Sequence, residues 1–158
     1  MNVFGERQHP EKYIPMVIKR VRDGEKIFVH SNKEKTKAGS RHYIHAQDVA
    51  DGLMFILNLK NYVHKGDFGN AKCPKFNLVG PEEIDNLKLA EIIAKTQNKK
   101  LVYELIDNHT SRPGHDLRYS LSPNLLKSLG WEPKIKLSQR IEEVVNWSLE
   151  NKHWLSEK

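Results

Sequence analysis

Apolar positions recur along this chain in short runs of two different periods, and their alternation predicts the order of elements. Ile14, Val17 and Val21 stand at helical spacing behind Pro10 and Glu11, and the run closes at Asp23-Gly24. This predicts an amphipathic helix with Gly24 near its C-cap. "KIFVH" (26–30) predicts a short strand, and Tyr43 and Ile44 an extended stretch leading into a helix with Val49, Leu53, Ile56 and Leu57 on one face. "KFNLVG" (75–80), stopped by Gly80-Pro81, predicts another strand, and Leu89, Ile92 and Ile93 the inward side of a helix capped by Asp85 or Asn86. "KLVYEL" (100–105) reads as a further strand. Ser122-Pro123 reads as a cap with Pro at N1 for a short helix ended by Gly130. Ile141, Val144, Val145 and Leu149 mark a last amphipathic helix. Residues 2 to 15 read as loop and helix, with no opening strand.

Strands alternating with helices predict the α/β class, or α+β layers, with a small mixed sheet and about four to five helices. At 158 residues, with no internal repeat or low-complexity linker, residues 1–158 are expected to form a single domain. The longest apolar runs, such as Leu53 to Leu57, fall far short of the roughly 20 residues that span a bilayer, and the opening residues lack the pattern of a secretory signal. A cytoplasmic location is therefore expected, and the single cysteine, Cys73, agrees with a reducing compartment.

Charge adds a direction. Twenty-six Lys and Arg against twenty Asp and Glu leave a net +6, which favours anionic partners. The densest basic run, "SNKEKTKAGSR" (31–41), reads as a solvated loop, and aromatics are not interleaved with basic residues as a single-strand nucleic-acid surface requires. Nucleic acid is not the expected partner.

Three clusters carry candidate chemistry. In "SRPGHDLRYSL" (111–121), Arg112 precedes a Pro-Gly turn, and a guanidinium held there presents a planar fork to phosphate or carboxylate oxygens; an ion pair between Asp116 and Arg118 is the competing structural reading. In "NVFGERQHPEK" (2–12), Asn2 offers an amide and Lys12 a point charge at a helix start. In "SRHYIHAQD" (40–48), His42, His45 and Asp48 have the residue types of a metal set, but a strand running into a helix spoils a common ligand face, and no metal site is expected. No G-x-G-x-x-G or P-loop occurs, and no nucleophile–base or paired-carboxylate arrangement stands at a telling spacing. The residues describe a basic binding domain without an evident catalytic engine.

Taken in order, these clusters resemble a known family. "NVFGERQHPEKYIP" (2–15) is similar to its N-x-Y-G-x-x-Q-x-P-E-K-x-I-P, "RHYIHAQD" (41–48) to R-x-W/F-x-x-V-x-D, and "FNLVG" (76–80) to Y-N-I-G. "SRPGHDLRY" (111–119) is similar to D-R-P-G-H-D-x-R-Y, and "LGWEP" (129–133) to L-G-W-x-P. Over essentially its whole length the chain resembles the C-terminal, substrate-binding half of the extended short-chain dehydrogenase/reductases. These form the NAD-dependent epimerase/dehydratase family, and the dTDP-glucose 4,6-dehydratases within it are most similar.

The resemblance implies a portion of a Rossmann-type fold whose partners are a nucleotide-diphosphate sugar and the NAD-binding N-terminal half, which is absent from this chain; a homo-oligomer is also compatible with it. It implies that Asn2 sits where substrate and NAD meet and that Lys12 and Tyr13 lie along the nucleotide. Arg41 is implied at the diphosphate, Asn77 at the nucleoside side, and Arg112 with His115 closing on the nucleotide. Phe28 and His30 stand where a Pro and a Tyr often lie against the base. The implied reaction is a lyase sequence: oxidation at C4 of the sugar, loss of water across C5 and C6, and reduction at C6. The family's Gly-rich NAD turn and Tyr-x-x-x-Lys pair do not occur here, so this chain alone is expected to be catalytically incompetent. An epimerase or decarboxylase of the same family, and a nucleotide-binding module without enzymology, are the alternatives.

Overall fold

The computed structural model describes residues 2–59, 75–111 and 116–156. In chain order the elements are β1 (Asn2–Phe4), α1 (Tyr13–Asp23), β2 (Ile27–Ser31), β3 (Ser40–His45), α2 (Ala46–Leu57), β4 (Glu83–Asp85), α3 (Asn86–Thr96), β5 (Tyr103–Asp107), α4 (Asn108–Ser111), β6 (Arg118–Tyr119), α5 (Asn124–Ser128) and α6 (Leu137–Glu150), with a closing 3₁₀ turn over Lys152–Leu155. No described helix is long and apolar enough to cross a membrane.

Strand β3 organises a mixed four-stranded sheet. It pairs in parallel with β1 (Val3 opposite Ile44), antiparallel with β4 (Arg41 opposite Ile84) and in parallel with β6 (Arg41 opposite Tyr119). β2 and β5 form a separate parallel pair, Ile27 opposite Tyr103 through Ser31 opposite Asp107. The larger core lies between these sheets and helices α1, α3 and α6, filled by Val17, Ile18, Ile27, Val29, Leu89, Ile93, Ile141 and Val145, all under 1% exposed. A smaller cluster of Ile44, Leu126 and Trp131 packs under α2.

Helices α1, α3 and α6 bury the faces that their periodicity predicts. Gly24 takes the left-handed conformation, φ 74°, at the end of α1, and Asp85 caps α3 by accepting from the Lys88 N–H at 2.9 Å.

Several expectations are corrected. The opening residues do contain a strand: β1 is three residues long, and a stretch that short shows its pairing only through its partner β3. Residues 75–80 are not a strand. They instead press Gly80 against β3, where a Cβ would lie 1.9 Å from the Tyr43 carbonyl oxygen. The strand expected at 100–105 runs from Tyr103 to Asp107. The helix after Ser122-Pro123 begins at Asn124, with Pro123 as N-cap rather than N1; the Ser122 hydroxyl accepts from the Asn124 N–H at 3.3 Å. On α2 the predicted stripe divides: Val49 and Ile56 pack against the smaller cluster, Leu53 and Leu57 are 50% and 77% exposed, and Asp48 and Gly52 are turned inward.

Asp48 faces inward because α6 brings it a partner. Arg140 Nη2 donates to Asp48 Oδ1 at 2.8 Å, and its Nη1 reaches Gln47 Oε1 at 2.9 Å and Glu143 Oε2 at 3.0 Å. Gly52 faces inward because Trp131 fills the space above it, with a Cβ there only 2.7 Å from Trp131 Cζ2; the indole N–H donates to Asp51 Oδ2 at 2.9 Å. An ion pair this deeply placed costs most when one partner is removed, because the other is left charged without water. Arg140→Ala should lower the unfolding free energy in urea by about 3 kcal/mol; a loss under about 1 kcal/mol would mean that the pair behaves as a surface bridge.

Candidate functional site

Cross-strand pairing on β3 builds the site. Asn2 enters from β1, Arg41 and His42 from β3, and Tyr119 from β6. With Ser120 and Leu121 they line a cleft of about 180 Å³. Two residues singled out in the sequence, Asn2 and Arg41, thus come together although 39 positions separate them.

Both terminal nitrogens of Arg41 are held. Its Nη1 donates to the Ser40 and Leu117 carbonyls, both at 2.6 Å, and Nη2 to the Asp116 carbonyl at 3.1 Å. Its guanidinium carbon lies 4.3 Å from the centroid of the Tyr119 ring, within cation–π range. Asn2 lies opposite Tyr43 in the β1–β3 register. Burial pushes the Tyr43 hydroxyl up to about 12, against the opposing charge of Arg41 and a side-chain hydrogen bond from Asn2. A fixed cation beside an amide in one cleft can bind and orient an oxyanion.

The other predicted residues fall at various distances from this cleft. Asn77 donates to the Ser122 carbonyl at 3.3 Å and lines a smaller adjoining cavity of about 70 Å³ that shares His42 with the first. Lys12 is the exposed N-cap of α1, and Tyr13 turns toward α3, its hydroxyl donating to the Asn86 carbonyl at 2.7 Å. Burial drives the Tyr13 hydroxyl well above the usual phenol range. His30 is half-buried on β2, its carbonyl accepting from the Gly39 N–H, and it does not line the cleft. Arg112 and His115 lie outside the described residues.

The competing reading of the 111–121 stretch is corrected in its partner. Arg118 does not pair with Asp116; its Nε and Nη2 grip Glu83 in two 2.7 Å bonds, and Ser40 Oγ donates to the same carboxylate at 2.6 Å. This clamp ties β6, β3 and β4 together beside Arg41. The Arg118 guanidinium, followed by the Ser40 hydroxyl, holds the Glu83 carboxyl down at about 2. Sequence reasoning missed Tyr119, Glu83 and Arg140, because each acquires its role from a residue 35 or more positions away.

His42, His45 and Asp48 go to three different places. His42 Nδ1 lies 3.3 Å from the Gly80 carbonyl, Asp48 is taken by Arg140, and His45 Nδ1 accepts from the Gln47 N–H at 3.2 Å, so its ring caps α2. The other His45 nitrogen, Nε2, is buried without a hydrogen-bond partner, 3.5 Å from Glu6 Oε2. Among the described residues no three His, Cys, Asp or Glu side chains gather as a metal set.

Residues 1–70 match the family model described as the NAD dependent epimerase/dehydratase family. The dTDP-glucose 4,6-dehydratase of Streptomyces niveus is 28% identical over 154 residues, which cover 97% of this chain and 41% of that protein. The low-salt glycan biosynthesis protein Agl12 of Haloferax volcanii is 31% identical over 149 residues, 94% of this chain and 43% of that one. A crystal structure of dTDP-glucose 4,6-dehydratase from Bacillus anthracis in complex with NAD superposes with a TM-score of 0.73 at 25% identity, covering 97% of this chain and 44% of that chain. The chain is related to the NAD-dependent nucleotide-sugar dehydratases and epimerases and shares their α/β architecture. It spans about two fifths of the length of the relatives it matches.

Two groups near the site set how the fold responds to acid. Burial holds the His45 imidazole below its ordinary value, with Arg140 acting in the same direction and Glu6, Asp48 and Glu143 opposing. A proton on Nδ1 would also destroy the acceptor that caps α2. The folded state therefore binds this proton more weakly than the unfolded chain, and stability is full above about pH 6.5 and declines as pH falls below it. Glu83 adds a second loss, from its ordinary carboxylate range down to about 2. Thermal melts between pH 7.5 and 5 should show the first decline in the native chain and not in His45→Asn, which keeps a capping acceptor without the titration; parallel profiles for the two chains would refute the assignment.

Proposed function

We propose that this chain is the nucleotide-sugar-binding part of an NAD-dependent enzyme of the dTDP-glucose 4,6-dehydratase type. The observation that carries this reading is the cleft between β1, β3 and β6, where Asn2 and the clamped Arg41 face one small volume. A diphosphate needs a cationic fork held in a fixed orientation, and Arg41 supplies one. In this reading Arg41 and Asn2 take the diphosphate and the neighbouring sugar. Asn77 serves the nucleoside side through the adjoining cavity, and Arg112 and His115 close on the nucleotide. The similarity to dTDP-glucose 4,6-dehydratases over nearly the whole chain supports the choice of substrate class.

The described residues do not form a Gly-rich cradle for NAD. The sequence has no Gly-rich dinucleotide turn, and residues 5–12 between β1 and α1 contain a single glycine, Gly5. Nor does it contain Tyr-x-x-x-Lys. We therefore assign this chain binding and orientation of the nucleotide sugar, and leave hydride transfer and elimination of water to the portion of such enzymes that it does not span. The cytoplasm, where nucleotide sugars are made, is the location this reading implies.

Isothermal titration calorimetry with dTDP, UDP and GDP tests the assignment. At least one should bind, and Arg41→Ala should weaken it about tenfold or more through loss of a charge-assisted pair. Failure of all three to bind, or an Arg41→Ala chain that binds as the native one does, would sink this reading.

A further inference from the structure

We propose that Tyr119 is the positioning residue of this anion site, acting on the ligand through Arg41; this rests on the nucleotide-binding reading above and deepens it. An arginine side chain has several soft torsions, and an exposed one samples many of them, which costs affinity each time a ligand must select one. Arg41 is not left to do so. The Leu117 and Asp116 carbonyls and the Tyr119 ring all come to it from one short segment, and the Ser40 carbonyl comes from its own neighbour.

That segment is itself fixed. β6 pairs Tyr119 directly opposite Arg41, which places the ring beside the guanidinium as a cross-strand neighbour. One residue earlier, Arg118 is gripped by Glu83, so the backbone carrying Tyr119 is anchored to β4 across β3. Among the described residues the Tyr119 hydroxyl makes one long contact, accepting from the Asp116 N–H at 3.4 Å. The ring face is therefore its working part. Tyr119 is also 43% exposed and lines the cleft, although a tyrosine retained for packing alone is usually more deeply set. A ring 4.3 Å from the guanidinium carbon restrains the side chain, and a restrained guanidinium takes phosphate oxygens at a lower entropic cost.

The test is a double-mutant cycle on the 158-residue chain, read by calorimetric titration with UDP and dTDP. Tyr119→Phe keeps the ring and should bind within about twofold of the native chain, whereas Tyr119→Leu removes the stack and should bind about tenfold more weakly. In an Arg41→Lys background, which lacks the planar fork, Tyr119→Leu should cost little more, because the residue acts through Arg41. Full additivity of the two substitutions, or a Tyr119→Leu chain that binds like the native one, overturns the positioning role while leaving the nucleotide reading intact. A native chain that binds neither nucleotide overturns both. Melting curves of each variant provide a check, since a packing role would lower the melting temperature in Tyr119→Leu without producing the non-additive binding loss.

Discussion

Strand β3 has six residues, and its backbone serves three partners. Its first three residues pair with β4 on one edge, the first two of them also with β6 on the other, and its last three carry β1. Every group in the cleft depends on this ladder. Asn2 and Tyr119 reach Arg41 only because parallel pairing holds β1 and β6 in register with it, and parallel strands need long connections that no local pattern announces. The same strand exposes the Tyr43 carbonyl to Gly80, where any side chain would collide, and ends in His45, whose ring begins α2. A change in β3 register would therefore disperse the site and uncap a helix at once.

Around that ladder, polar groups do what apolar packing does elsewhere. Asp48 and Arg140 join α2 to α6, and Glu83 joins Arg118 to Ser40 across three strands. The two differ in burial and so in kind. The first is almost wholly enclosed, and its value lies in specifying one arrangement, since desolvation offsets much of the attraction. The second is exposed, and its two parallel bonds contribute geometry more than energy. Only the second bears on the segment beside Arg41, since it anchors Arg118 next to Tyr119. Asn86 has a similar part on the core side, taking the hydroxyls of Tyr13 and Tyr43.

Much of the fold was legible along the chain. The inward faces of α1, α3 and α6, the Asp85 cap and the left-handed Gly24 follow from local periodicity and backbone preference, and tertiary packing agreed with them. On α2 only Val49 and Ile56 of the periodic face pack inward, because its most buried positions are not apolar: a glycine makes room for Trp131, and a carboxylate meets an arginine 92 residues away. Residues 75–80 were misread because an apolar run beside Gly-Pro has the composition of a strand, yet close approach to β3 leaves no ladder to join.

The candidate site divides in the same way. Arg41 and Asn2 stood out in the sequence by residue type and by family-like motifs, and the basic excess indicated an anionic ligand before any fold was known. The sequence alone determined which side chains could carry charge and which stretches would be helical, because those depend on residue type and on neighbours within a turn or two. Only the tertiary structure decided that Arg41 would be clamped by carbonyls and a ring from residues 116–119, that Arg118 would choose Glu83 over Asp116, and that Tyr13 would turn toward Asn86. Those choices depend on distances across strands, and a strand's partner is set by the whole sheet.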